Sequence, residues 1–150
     1  MHPPLWPSGF SDILIADLDS TFLTPFGPNP IRKGLLAHLK RYLAKLRKVG
    51  IPFQVWIDGS FATQKPNPND IDLIVGVREG DIASLSDAQS ELLEGLTYRR
   101  NRVILQYKVD VYLVNLDNES EQDHWITFFS TDKDQRGKKG MFRLNFSADV

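Results

Sequence analysis

The segment Asp70–Val77 most constrains what this chain can fold into. It is almost entirely apolar and rich in β-branched residues, and its acidic residues stand only at its start. A short run of this kind predicts a largely buried strand. A buried strand needs other strands beside it and helices over it, and 150 residues are enough to supply them in a single domain over 1–150.

The patterns on either side of this strand predict an α/β (α+β) fold in which helices flank a small mixed sheet. In chain order, they predict a helix over 31–49, strands over 53–58 and 70–77, a helix over 86–96, a strand over 103–114, a helix over 120–129 and a short strand over 141–146. Asn29 is suited to cap the first helix, with Pro30 in its first turn. Residues 1–30 are predicted to form an irregular lead-in.

Charge is distributed unevenly along the chain. Residues 31–49 carry seven basic residues and no acid, so this segment is +7, whereas the rest is −8 and the total is −1. The basic helix is either a surface for phosphates or an acidic partner, or simply a solvated face. A second basic segment, 132–140, either closes on a phosphate group, holds an acceptor, or is a plain solvated loop.

Composition excludes several classes of protein. The chain has no cysteine, which removes disulfide frameworks, thiolate zinc sites and cysteine nucleophiles, and its three histidines are scattered. No apolar run is long enough to span a membrane, and the start of the chain lacks the pattern of a signal peptide. The expected location is therefore cytoplasmic, with no membrane partner.

Three features in a fixed order carry the chemistry. Gly59-Ser60 ends the first predicted strand, Asp70-Ile71-Asp72 begins the second, and Asp110 lies between two valines in the third. Because residues two apart on a strand point to the same face, Asp70 and Asp72 are expected to project together. Two adjacent carboxylates repel, so they require either a shared proton or a divalent cation.

Oxygen ligands without histidine or cysteine favour Mg²⁺ or Mn²⁺ over zinc. Gly59 lets a phosphate approach the backbone, and the following turn offers an N–H and the Ser60 hydroxyl as donors. Asp110 is suited to a second metal ion or to accepting the proton of an attacking hydroxyl. Together these groups predict two-metal phosphoryl or nucleotidyl transfer.

These motifs resemble the nucleotidyltransferase superfamily of DNA polymerase β. The resemblance rests on Trp56–Ser60, Asn69–Val75 and Val109–Val111, and it covers roughly residues 53–114. In size the chain is similar to the minimal nucleotidyltransferases of bacteria and archaea, which are often encoded in toxin–antitoxin pairs.

The resemblance implies a nucleotidyltransferase-like fold and Mg²⁺-dependent transfer of a nucleoside monophosphate from an NTP such as ATP. The acceptor would be a hydroxyl of RNA, such as a tRNA end, or of a partner protein. The resemblance also implies a toxin–antitoxin or phage-defence system as the setting, with a cognate toxin or antitoxin as partner. It assigns nucleotide binding to Gly59 and Ser60, and metal binding and catalysis to Asp70, Asp72 and Asp110.

The chain also departs from the family's pattern. Many minimal members have an arginine shortly after Gly-Ser, and here Lys65 is the only basic residue in that place. Lys65, and Lys138 in the basic segment 132–140, are therefore the candidates for further contacts with the nucleotide.

Two alternatives stand beside this interpretation. One is a non-catalytic, antitoxin-like module that keeps the fold and binds a partner. The other is a phosphatase, because Ile13–Thr21 resembles the first motif of haloacid-dehalogenase-type phosphatases, with Asp17 as nucleophile and Asp19 as general acid.

Three further expectations concern residues around the acids. The basic residues before Asp110 are placed to offset the carboxylates. Asp58 is expected to be structural or supporting. Trp56 is expected to pack rather than to stack on a base. The basic residues in question are Arg99, Arg100, Arg102 and Lys108.

Overall fold

A computed structural model of the chain describes residues 9–63, 65–130 and 140–146. Within those residues the structure contains six α-helices and one five-stranded mixed sheet, which confirms the predicted fold class. The strands are β1 (Gly9–Ile13), β2 (Phe53–Asp58), β3 (Ile71–Val77), β4 (Val109–Asn115) and β5 (Gly140–Phe146). The helices are α1 (Leu18–Phe22), α2 (Pro30–Arg47), α3 (Glu79–Ala83), α4 (Asp87–Thr97), α5 (Arg100–Tyr107) and α6 (Glu119–Ser130).

The strand order across the sheet is β1-β5-β2-β3-β4. β1 runs parallel to β5, and β3 runs parallel to β4. β2 is antiparallel to both of its neighbours, β5 and β3. The last residues of β2 therefore lie beside the first residues of β3, which in turn lie beside the first residues of β4.

The two faces of the sheet carry different clusters. The main core lies on the face covered by α2, α4 and α5, with Leu39, Leu93 and Val103 among its buried residues. On the opposite face, a smaller cluster around Trp56 and Ile74 packs against α6. Among the helices that the structure describes, none has the length and apolar character needed to cross a bilayer.

Helix α2 begins and ends close to where the sequence predicts. The Asn29 side chain accepts a hydrogen bond from the Arg32 N–H at 2.9 Å, and Pro30 occupies the first turn. The stripe of leucines from Leu35 to Leu46 is buried against the sheet, while most of the basic residues remain exposed. The amphipathic pattern thus specifies both the helix and its orientation.

The predicted strand over 103–114 is wrong in its first half. Val103 and Tyr107 are four residues apart and both buried, because they lie one turn apart on the inner face of α5. Lys108 then ends the helix in the left-handed region, at φ +56°. The alternation that predicted a strand applies only from Val109 onward.

The prediction of an irregular lead-in over 1–30 is also wrong for its described part. Residues Gly9–Ile13 form β1, and Leu18 and Phe22 of α1 are fully buried. Strand β1 is stabilised by pairing with β5 from the far end of the chain, so nothing in its local composition announces it.

Arg32 is a fully buried arginine that fastens the chain between β2 and β3 to α2. Its guanidinium donates five hydrogen bonds of 2.7–3.2 Å to four main-chain carbonyl oxygens, those of Phe22, Phe61, Thr63 and Lys65. The guanidinium carbon also lies 3.6 Å from the centre of the Phe26 ring.

Burial lowers the pKa of Arg32 to about 10, so the group stays charged at neutral pH. Asn29 adds a hydrogen bond to the Pro66 carbonyl at 2.6 Å. The first turn of α2 therefore fixes the path of the chain from Gly-Ser to Asp-x-Asp.

Replacing Arg32 by methionine keeps much of the side chain's length but removes every donor. We expect the free energy of unfolding to fall by about 3 kcal/mol, because the carbonyl oxygens lose a charged partner. Urea denaturation measures the change, with Lys33→Met, at the exposed neighbour, as the matched control and an expected change under about 0.5 kcal/mol. Equal small losses in both variants would contradict the anchoring role of Arg32.

Candidate active site

Three carboxylates lie side by side at the end of the sheet where β2, β3 and β4 meet. Asp72 is the register partner of Asp58 on one side and of Asp110 on the other. Register partners share a face, and neighbouring strands lie about 5 Å apart. We call Asp58, Asp72 and Asp110 the acidic row, and it stands on the same face as Trp56 and Ile74, opposite the main core.

The members of the acidic row differ in exposure. Asp58 is fully buried, whereas Asp72 and Asp110 are half-buried and reach solvent. The burial of Asp58 agrees with its expected structural or supporting place. Asp72 and Asp110 are the members that a ligand can reach.

Asp110 is held by two side chains. The Arg100 guanidinium donates to its Oδ1 at 2.7 Å, and the Tyr112 hydroxyl donates to its Oδ2 at 3.2 Å. The Arg100 guanidinium also lies 4.1 Å from the centre of the Tyr112 ring. The hydrogen bond to Asp110 raises the pKa of Arg100.

The expectation that a basic residue before Asp110 offsets the carboxylates is therefore confirmed for Arg100. Sequence reasoning missed Tyr112 as a partner of Asp110. The two-residue spacing of Asp110 and Tyr112 on one strand was the signal that would have found it.

Asp70 lies just before β3, which begins at Ile71 rather than at Asp70 as the sequence predicts. Burial raises the pKa of Asp70, and the negative charge of Asp110 raises it further, while the positive charge of Lys65 lowers it. Asp70, Asp110 and Lys65 therefore lie within electrostatic range of one another. Asp70 is therefore outside the strand on which it was predicted to share a face with Asp72.

Gly59 directly follows β2 and packs against Asp72 of the acidic row. Its φ of +76° is in the left-handed region that favours glycine. A Cβ on this residue would lie 2.9 Å from the Asp72 carboxyl carbon and closer still to Oδ2. The glycine is required because the Asp72 carboxylate fills the space where a side chain would stand.

The remaining predicted nucleotide-binding residues have different outcomes. Ser60 follows Gly59 directly and begins the 3-10 turn Ser60–Ala62. Lys65 lies in the loop that Arg32 anchors and approaches Asp70 as described. Lys138, with most of the basic segment 132–140, lies outside the described residues.

Three other residues singled out in the sequence do not belong to the acidic row. Trp56 is 1% exposed and donates from its indole nitrogen to Gln54, so it packs as expected. Asp17 accepts a hydrogen bond from the Leu14 N–H, and Asp19 pairs with Lys40 at 2.9 Å. Asp17 and Asp19 thus make a local turn contact and an ion pair in the helices after β1.

The carboxylate oxygens of Asp70 and the acidic row, which together we call the acidic corner, suit a hard divalent cation. Within residues 9–63, 65–130 and 140–146, no three acidic or histidine side chains form a preassembled metal centre. Mg²⁺ commonly uses only one or two protein carboxylates and completes its shell with water and substrate phosphates. Asp70 and Asp72 meet that requirement by type. The pKa of Asp70 is raised chiefly by burial and further by the negative charge of Asp110.

The fold and this corner define a mixed α/β protein with carboxylates gathered at one end of its sheet. The chain belongs to DUF6932, a family of unknown function, whose model matches residues 2–145. No curated protein and no solved structure matches it.

Gly59→Ala places a methyl group where the Asp72 carboxylate lies. We expect it to lower the free energy of unfolding by about 1–3 kcal/mol, because both the positive φ and the contact oppose a side chain. Gly34→Ala is the control: Gly34 lies in α2 with open space around it, and alanine there should stabilise the helix by up to about 1 kcal/mol. Thermal or urea unfolding measures both. A tolerated Gly59→Ala would contradict the close packing of Gly59 on Asp72.

Asp110→Asn should lower the pKa of Asp70 in metal-free solution. The substitution removes a negative charge that disfavours ionisation of Asp70, so deprotonation occurs at lower pH. Carboxyl-carbon NMR titration measures the shift. Asp12→Asn is the control, because Asp12 pairs with Arg143 on β5 and its loss should leave Asp70 unchanged. An unchanged Asp70 pKa in Asp110→Asn would show that the two carboxylates are not coupled.

Proposed function

We propose that this protein is a nucleotidyltransferase, which uses Mg²⁺ or Mn²⁺ to move a nucleoside monophosphate from an NTP to an acceptor hydroxyl. One observation carries the proposal: the turn at Gly59 meets Asp72 and Asp110 at one end of the sheet. The motifs that resemble the DNA polymerase β superfamily are far apart in sequence, and their proximity in space supports a shared site. We place the reaction in the cytoplasm.

The triphosphate is proposed to bind at the turn after β2. Gly59 turns the chain beside the Asp72 carboxylate, and Ser60 follows it at the start of the 3-10 turn. The backbone N–H groups of such a turn are suited to bind phosphate oxygens. The positive charge of Lys65 is close enough to lower the pKa of Asp70, so the Lys65 ammonium can also contribute positive charge to a triphosphate bound there. Arg32 donates hydrogen bonds to carbonyl oxygens of the chain between β2 and β3. These bonds would hold the turn in place when a charged ligand binds.

Asp70 and Asp72 would hold the divalent cation, which when bound neutralises the triphosphate and polarises the reacting phosphate. Arg100 bears on the role of Asp110, because its guanidinium already occupies one carboxylate oxygen. That contact disfavours a second cation at Asp110. We therefore assign Asp110 to the proton of the acceptor hydroxyl.

The proposed reaction is a single displacement. The acceptor oxygen forms a bond to the α-phosphorus while the bond from that phosphorus to the bridging oxygen of the β-phosphate breaks. Pyrophosphate leaves with the electron pair of the broken bond, and the acceptor proton passes to the Asp110 carboxylate. Arg100 and Tyr112 hold Asp110 in position for this step.

Calorimetric titration with each of the four NTPs, with and without Mg²⁺, tests the proposed site. We expect metal-dependent binding of at least one NTP, weakened tenfold or more in Asp70→Asn/Asp72→Asn, because that variant removes the cation's carboxylates. The matched control is Asp17→Asn/Asp19→Asn, which removes the same charge from the phosphatase-like segment and should bind normally.

Three results would count against the proposal. The first is the absence of NTP binding by the folded wild-type protein. The second is equal binding by the Asp70→Asn/Asp72→Asn variant. The third is a loss confined to Asp17→Asn/Asp19→Asn, which would favour the phosphatase interpretation instead.

A further inference from the structure

A groove lies between α2, α4 and α5, on the side of the sheet opposite the acidic row. It consists of two adjoining cavities of about 470 and 480 Å³, which share Lys45, Gln106 and Tyr107 in their walls. The ring of Tyr107 is buried at the base of this groove and packs edge-on against Tyr42. Nothing in the proposed reaction uses this surface.

The walls of the groove are strongly basic. Five cationic side chains line it against one acid, Glu91. They are Arg41, Lys45, Lys48, Arg99 and Arg102. All five are exposed, and none forms a salt bridge with any residue that the structure describes. This concentration of unneutralised charge favours a polyanionic ligand.

The arrangement of the cations fits a chain of phosphates. Arg41, Lys45 and Lys48 follow one another at helical spacings of four and three residues, so they form a row on one face of α2 at steps of about 5 Å. Arg99 and Arg102 stand on the other wall. A ligand with regularly repeated negative charges, such as a phosphodiester backbone, matches two facing rows of cations.

An exposed aromatic residue next to the groove favours nucleic acid over an acidic peptide. Tyr98 is 70% exposed and directly precedes Arg99 in the groove wall. Unpaired bases stack on exposed aromatic rings, whereas an acidic peptide gains little from such a ring. A basic groove with an exposed tyrosine next to it is a combination that suits single-stranded nucleic acid.

Arg100 connects the groove to the acidic row. It lies in α5 between the groove residues Arg99 and Arg102, yet its guanidinium contacts Asp110 on the other face. β4, which carries Asp110, is an edge strand of the sheet. The contact between Arg100 and Asp110 therefore places this end of the groove next to Asp110, where an RNA leaving the groove would arrive.

We propose that this groove binds a single-stranded segment of RNA whose terminal hydroxyl is the acceptor. The RNA-binding part stands on the groove itself, and the acceptor role rests on the proposed function. The ribose hydroxyl at an RNA end is the kind of nucleophile that the proposed transfer requires.

Fluorescence anisotropy with a labelled single-stranded RNA of 12 nucleotides tests the groove, in EDTA and without NTP. We expect saturable binding at 50 mM salt that weakens at least tenfold in Lys45→Gln/Arg102→Gln, with a salt slope shallower by about 1.5 because two phosphate contacts are lost. The matched control, Lys33→Gln/Arg78→Gln, removes the same charge outside the groove and should change affinity less than twofold. Tyr98→Ala should weaken RNA binding about tenfold and leave binding of a poly-glutamate peptide unchanged.

Several outcomes would overturn the proposal. These are no saturable RNA binding at 50 mM salt, equal losses in groove and control variants, or poly-glutamate binding as tight as RNA together with no effect of Tyr98→Ala. The last result would make the groove a surface for an acidic protein. Because the measurement uses neither metal nor nucleotide, its result is separate from that of the NTP titration: RNA binding without NTP binding would leave the groove standing and remove the acceptor role.

Discussion

Like charges on neighbouring strands repel, and the register of β2, β3 and β4 places Asp58, Asp72 and Asp110 in one row. Arg100 offsets the charge at Asp110, while Asp70 adds a further carboxylate whose pKa is raised by burial and by Asp110. Gathering acids in this way costs stability. Packing elsewhere must offset that cost, and a cation bound at this corner would relieve it.

The structure holds this corner in place from outside. Arg32, at the start of α2, binds three carbonyl oxygens after the Gly59 turn and a fourth, that of Phe22, in α1. Gly59 leaves room for the Asp72 carboxylate. The path of the chain between Gly-Ser and Asp-x-Asp is thus fixed by a buried arginine that lies outside both motifs. The same helix presents Arg41, Lys45 and Lys48 to the basic groove, so α2 supports the proposed nucleotide site and lines the proposed RNA site.

Local patterns in the sequence predicted much of this arrangement. Periodicity predicted α2, β2, β3 and α4. The two-residue spacing of Asp70 and Asp72 predicted a shared face on one strand, whereas Asp70 lies just before β3. Local patterns could not predict features that depend on distant parts of the chain. β1 forms because it pairs with β5, and Arg32 is buried because carbonyl oxygens from another part of the chain converge on it. The strand predicted over 103–108 was wrong for a different reason. Short apolar runs fit both the helical and the strand periodicity, and packing decides between them.

The most direct test of the central claim is the anomalous diffraction of crystals grown with Mn²⁺ and a non-hydrolysable NTP analogue. We expect a manganese peak between the carboxylates of Asp70 and Asp72, with the triphosphate against Gly59 and Ser60. We also expect Arg100 to remain in contact with Asp110. A manganese peak elsewhere, or none in crystals that contain the analogue, would contradict the central claim.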